Sequence, residues 1–179
     1  MNDYMEKEIK VLDVNVEMLR IRLEKLGAIL VYDDVREISS FDFSNGICSQ
    51  NDLLIRLTKE NAIKITVHIN NSKKDRKIIK IHPAENETIC KDFLLAIGLE
   101  ERTRLISHRV SYEWQNVDFD IDQFPGIPPF LEIDLKYLNV PLKSLLKKLS
   151  LETNKIVECG TESIFEMYGI DYYEYFKLY

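Results

Sequence analysis

Carboxylates at two-residue spacing mark three stretches of this chain. Glu6, Glu8 and Lys10 read E-x-E-x-K; Glu132 and Asp134 read E-x-D within PGIPPFLEID; Asp122 stands a short loop before that pair. On a strand, alternate residues share a face at about 6.6–7 Å, so two such carboxylates can hold one small cation between them, directly or through water. Hard oxygen donors suit Mg2+ or Mn2+, ions that keep waters and bind together with substrate phosphates. Bases form a second set. Arg56, Lys64, Arg76, Lys80 and Arg109 stand on segments whose alternate positions are apolar. Numbering the strand-like segments along the chain, acids fall on the first, seventh and eighth, and bases on the third to sixth. Solvated faces ordinarily mix signs along each strand. A sheet curled into a barrel would gather these faces inside, acids on one wall and bases on the rest.

The elements that must position these residues are legible from periodicity. Period-two alternation places strands at 5–11, 53–58, 63–69, 76–82, 106–114, 117–122 and 130–136, with a longer, less regular strand over 29–43. Three helices interrupt them. The first carries Val16, Leu19, Leu23 and Leu26 as a stripe, with Asp13 or Asn15 as its cap and Gly27 as its stop. The second runs over about 86–97, capped by Asn86, with Ile89, Cys90, Phe93, Leu94 and Ile97 inward and Gly98 after it. The third spans 141–149, with Pro141 in its first turn and Leu142, Leu145, Leu146 and Leu149 as its stripe. The aromatic tail from Thr161 is expected to form a short helix with an extended end, its tyrosines, like Trp114, serving core or homodimer contact. His108 shares an apolar face with Val110 and is expected to pack in the core.

Composition narrows the function classes. At 179 residues, with 45% hydrophobic and 30% charged side chains, the chain is globular in type. A domain of that length buries roughly 70% of its unfolded surface. The formal net charge of -6 argues against a general nucleic-acid binder. Cys48, Cys90 and Cys159 are odd in number and far apart, so neither a disulfide framework nor a thiolate zinc site is indicated. Apolar runs such as AILVY (28–32) are far short of the ~20 residues of a membrane span, and a cytoplasmic location is expected. No G-x-x-x-x-G-K-[ST], H-E-x-x-H or G-x-S-x-G is present. With no repeat or linker, the chain reads as a single domain over 1–179, a core of about 4–136 followed by a helical extension of about 137–179.

Taken in order, E-x-E-x-K at 6–10, LEKLGA (23–28), FDF (41–43), LLIRLTK (53–59), SHRVSYEW (107–114) and FDIDQFPGIPPFLEID (119–134) resemble the CYTH superfamily. That group comprises class IV adenylate cyclases, thiamine triphosphatases and inorganic triphosphatases, also called triphosphate tunnel metalloenzymes. The resemblance implies an α+β fold, an eight-stranded antiparallel β-barrel closed into a tunnel with flanking helices. By the same resemblance Glu6, Glu8, Asp122, Glu132 and Asp134 would hold Mg2+ or Mn2+, and Arg56 and Arg109 would meet the phosphates. Lys10 matches the signature lysine, and its place beside Glu6 and Glu8 suggests a role in positioning the nucleophile. Several positions depart from the family pattern. Leu54 stands where the first arginine of R-x-R is expected, His68 where a lysine would fall, and Ser107 at the first basic position of K-x-R. Ile78 and Lys80 replace two acids, and Asp118 stands where cyclase-like members carry a base. Lys64, Lys80 and His82 share the parity that would compensate.

The expected activity is metal-dependent hydrolysis of a triphosphate-bearing small molecule, organic or inorganic, with neither nucleic acid nor membrane as partner. Two alternatives stay open from the sequence, cyclisation of ATP and a non-catalytic module that binds phosphate or nucleotide.

Overall fold

A computed structural model describes residues 7–70, 76–83, 85–135 and 141–178, with backbone alone at Lys7, Asn70, Arg76 and Lys77. Glu6 lies outside the described residues. The strands are β1 (Lys7–Val11), β2 (Ile29–Phe43), β3 (Leu53–Lys59), β4 (Ile63–Asn70), β5 (Arg76–Ile81), β6 (Leu99–Trp114), β7 (Val117–Gln123), β8 (Phe130–Leu135) and β9 (Ile156–Val157). The helices are α1 (Val16–Leu26), α2 (Ile47–Gln50), α3 (Glu87–Ala96), α4 (Leu142–Lys148), α5 (Thr161–Met167) and α6 (Tyr172–Phe176). The class is α+β, with the strands ordered β5-β4-β3-β2-β6-β7-β8-β1-β9 in an antiparallel sheet. No helix among the described residues is long and apolar enough to cross a membrane.

The chain divides into two compact units. One holds Glu6–Val35 and Ser107–Ile170, the other Arg36–Ile106 with the tail from Asp171.

The first unit is built on β1, β8 and β7 with the end of β6. Alternation sends Ile9, Val11, Val110, Tyr112, Val117, Phe119, Ile121, Leu131, Ile133 and Leu135 to one face, where α1 and α4 cover them with Leu19, Leu23, Leu145, Leu146 and Leu149. Asn15 is the cap of α1, its Oδ1 accepting from the Met18 N–H at 2.9 Å. The helix ends at Gly27, whose φ of 88° is left-handed and sterically open only to glycine at little strain. With the apolar face committed to the helices, every alternate residue of β1, β7 and β8 is left to the other face. That face is the acidic one.

In the second unit, α3 lies over β3 and β4, burying Cys90 and Leu94 against Phe41, Leu57, Ile65 and Leu99. Asn86 caps α3 through the Ile89 N–H. Ahead of β3, Asp42 gathers the N–H groups of Phe43, Cys48 and Ser49. Burial alone would raise its carboxyl, but the Cys48 and Ser49 N–H groups outweigh that and hold it below the usual carboxylate range. Leu54, Arg56 and Thr58 of β3, Lys64, Thr66 and His68 of β4, and Ile78 and Lys80 of β5 alternate with the residues turned to α3.

Several expectations are corrected. The sheet has nine strands where the resemblance implied eight, and the barrel-like fold it implied is shared with the solved structures below, although the described ladder does not itself close. The extension after β8 supplies the added strand, because β9 pairs with Lys10 and Val11 and occupies the edge of β1. On α3 only the Cys90–Leu94 stripe is buried; Ile89, Phe93 and Ile97 are 48%, 58% and 51% exposed, since a ten-residue helix meets a flat sheet along one narrow line. His108 is not a core residue. Its row partner across the strands is Gln123, not an apolar residue, and its ring meets Gln123 Nε2 at 2.9 Å and Asp33 Oδ1 at 3.2 Å. The tail holds two short helices, α5 and α6, separated at Gly169 with φ 74°.

Candidate functional site

Strand register turns the carboxylate spacing into rows. On the polar face of the first unit, Glu113, Asp118, Asp134 and Glu8 stand side by side across β6, β7, β8 and β1. The next row is Ser111, Asp120, Glu132 and Lys10, and the third begins with Arg109 beside Asp122. Cross-strand neighbours have Cβ atoms about 4.5–5.5 Å apart, and like charges at that distance destabilise a sheet. Two bases answer this repulsion.

Arg109 is the first. Its Nε and Nη2 donate to the two oxygens of Asp122 at 2.7 and 2.6 Å, Nη1 donates to Asp120 Oδ2 at 2.6 Å, and Nη2 lies 3.7 Å from Glu132 Oε1. The guanidinium is 12% exposed and Asp122 only 1%. Burial alone would lower the guanidinium, but the charges of Asp120 and Asp122 hold it well above its ordinary value. Burial pushes the Asp120 carboxyl up, and the pull of Arg109 does not cancel that because Glu132 and Asp122 add to the rise. Lys10 is the second base. Its side chain is 2% exposed, in contact with Glu8 and 3.2 Å from Glu132 Oε2. An ammonium has three donors. Two face these carboxylates, which leaves one for a water or a phosphate oxygen.

The second unit carries the basic face. Ser40, Arg56, Thr66 and Lys80 form one cross-strand row on β2, β3, β4 and β5, with Thr58 and Lys64 in the row beside it. Lys64 Nζ pairs with Glu60 Oε2 at 2.6 Å, and Arg36, itself buried, reaches the same carboxylate at 4.0 Å. The row on the other side of Arg56 is Leu54, His68 and Ile78. These are three of the positions that depart from the family pattern, and register makes them neighbours. Where the resemblance implied an arginine, a lysine and an acid, this row carries two aliphatic side chains and a buried imidazole. Arg76 is placed on β5 opposite Asn70 by its backbone.

The donor set suits a divalent metal only in part. The carboxylates are hard oxygen ligands of the right kind, but no three Asp, Glu, His or Cys residues among those described converge as a preformed centre. Magnesium commonly takes one or two carboxylates and completes its shell with waters and substrate phosphates, so the donor set it needs is a neighbouring pair. Glu8 and Asp134, neighbours across β1 and β8, are such a pair. Asp122 and Glu132 are instead gathered with Asp120 around Arg109.

Two participants escaped the sequence reading. Asp120 has the same parity as Asp118 and Asp122, so alternation alone could have assigned it. Arg36 sits in the irregular β2, where no face could be assigned from periodicity.

No family model matches the chain, and no curated protein matches it in sequence. Solved structures do share its fold. A Vibrio parahaemolyticus protein proposed as an adenylate cyclase superposes with a TM-score of 0.70 at 12% identity, covering 92% of this chain and 99% of that one. The PH1012 protein of Pyrococcus horikoshii gives 0.64 at 20% identity, covering 84% and 94%. A Hippeastrum protein proposed as an adenylyl cyclase, with a dominant triphosphatase activity, gives 0.57 at 13% identity, covering 93% and 97%.

Proposed function

We propose that this chain is a triphosphate-binding hydrolase of the CYTH superfamily. The observation that carries the reading is the row Ser40, Arg56, Thr66 and Lys80, two bases alternating with two hydroxyls on a fold shared with a triphosphatase. Guanidinium, ammonium and hydroxyl groups at successive strand spacings match a chain of phosphoryl oxygens, and charge-assisted hydrogen bonds to such oxygens are the strong ones. In this reading Arg56 and Lys80 take the phosphates, with Lys64 in the row beside them and Arg76 placed two rows away by its backbone. On the acidic face of the other unit, Lys10 has a donor suited to orienting a water. Beside Lys10, Glu8 and Asp134 would hold Mg2+ or Mn2+, an ion that polarises a phosphoryl group. Hydrolysis is favoured over cyclisation because it asks only for a water placed against one phosphoryl group, whereas cyclisation must also fold the ribose over the α-phosphate.

Thermal shift tests the phosphate preference. A ligand at 100 times its Kd adds about 2.7 kcal/mol of stability, and each kcal/mol moves the Tm of a chain this long by roughly 2–4 °C. Triphosphates are expected to raise Tm by several degrees, diphosphates less and monophosphates hardly at all, and Arg56→Ala should flatten the ranking. Equal protection by monophosphates would refute a phosphate-reading site.

The Leu54, His68 and Ile78 row sharpens the substrate. Aliphatic side chains offer nothing to phosphate oxygens, so this row suits the organic part of an organic triphosphate. Leu54→Arg would add a charge-assisted donor beside Arg56, worth about 1.5–3 kcal/mol, and should tighten inorganic triphosphate at least ~10-fold. Calorimetric titration giving unchanged inorganic triphosphate affinity in that variant would remove the assignment.

A further inference from the structure

We propose that Arg109 is the resident cation of the Asp120–Asp122–Glu132 cluster, a positioning residue that neutralises those carboxylates in the free protein. The geometry points there from three sides. Both oxygens of Asp122 are bound by Nε and Nη2, Asp120 is bound by Nη1, and Glu132 lies within ion-pair distance, so one planar group serves carboxylates from β7 and β8 at once. Asp122 is buried, at 1% exposure, and the Arg109 side chain is only 12% exposed, so displacing the guanidinium leaves Asp122 bare in the protein interior. The fork geometry is also specific, since two parallel N–H···O bonds to one carboxylate fix the orientation of both partners. Lys10 completes the arrangement on the far side of Glu132.

The consequence departs from what the sequence resemblance implied for Asp122, Glu132 and Arg109. The first two orient Arg109 and do not ligate a metal in the free protein, and Arg109 holds carboxylates and does not bind phosphate. A divalent ion therefore enters this face with its phosphate ligand and finds no high-affinity seat without it. This inference stands apart from the proposed hydrolysis, because it concerns the protein with no triphosphate present.

Manganese titration of the full chain without any triphosphate tests it, following the electron paramagnetic resonance signal of free Mn2+. Wild type is expected to bind Mn2+ at least ten times more weakly than Arg109→Gln, in which the three carboxylates lose their cation, and Arg109→Lys should stay close to wild type because it keeps the charge. Should Arg109→Gln fail to fold, the same titration on Asp122→Asn and Glu132→Gln serves, and both should match wild type. Tight Mn2+ binding by wild type that either carboxylate variant abolishes would overturn the proposal, as would equal affinity in wild type and Arg109→Gln.

Discussion

Arg109→Ala is expected to lower the folding free energy by about 3–5 kcal/mol in the absence of divalent ions, as measured by urea unfolding. The loss does not come from the attraction alone. Asp122 is 1% exposed, and without the guanidinium its charge stays buried with Asp120 and Glu132 as neighbours. Breaking a buried ion pair by removing one partner leaves that uncompensated charge, whereas removing both charges is often nearly neutral. The double variant Arg109→Ala/Asp122→Asn should therefore recover a large part of the stability. At roughly 2–4 °C per kcal/mol, the single variant is expected to melt about 6–20 °C lower. A single variant as stable as wild type would show that Arg109 is not the counter-charge of this face.

Lys10→Met is expected to reduce turnover of a triphosphate by about 10²–10³-fold while leaving KM close to that of wild type, the signature of a group that acts on the reacting atoms and not on ground-state binding. Methionine keeps the length and apolar volume of the stem, so the 2% exposed position stays filled. Steady-state phosphate release separates the outcomes. A rise in KM at constant kcat would place Lys10 among the phosphate contacts.

Much of the fold was legible because alternation and caps are local. The α1 helix, its Asn15 cap and its Gly27 stop follow from side-chain chemistry within a few residues. The 15-residue β2 strand was bounded correctly despite its irregular pattern. The failures share a cause. Whether Ile89, Phe93 and Ile97 are buried depends on how much sheet lies under α3, and whether β1 has a free edge depends on β9, more than 140 positions further along the chain. Sequence periodicity names a face but not its covering. The candidate site divides in the same way. Parity placed the carboxylates and bases on their faces, and the sorting of acids onto β1, β7 and β8 proved to be adjacency in the sheet. What parity could not supply was register, which makes Leu54, His68 and Ile78 one row and puts Arg109 beside Asp122. The resemblance, which reads strands singly, implied phosphate as the partner of Arg109. Across the strands, the nearest anions to that guanidinium are its own chain's carboxylates.

The most direct measurement of the proposed activity is phosphorus-31 NMR of the purified chain incubated with ATP, GTP, thiamine triphosphate and inorganic triphosphate in turn, each with Mg2+ or Mn2+. Hydrolysis predicts orthophosphate and the corresponding diphosphate from at least one organic triphosphate, at a rate that Arg56→Ala and Lys10→Met both depress. A cyclic nucleotide appearing with pyrophosphate would contradict hydrolysis in favour of cyclisation. Unchanged spectra for every substrate, with thermal protection retained, would make the chain a binding module and not an enzyme.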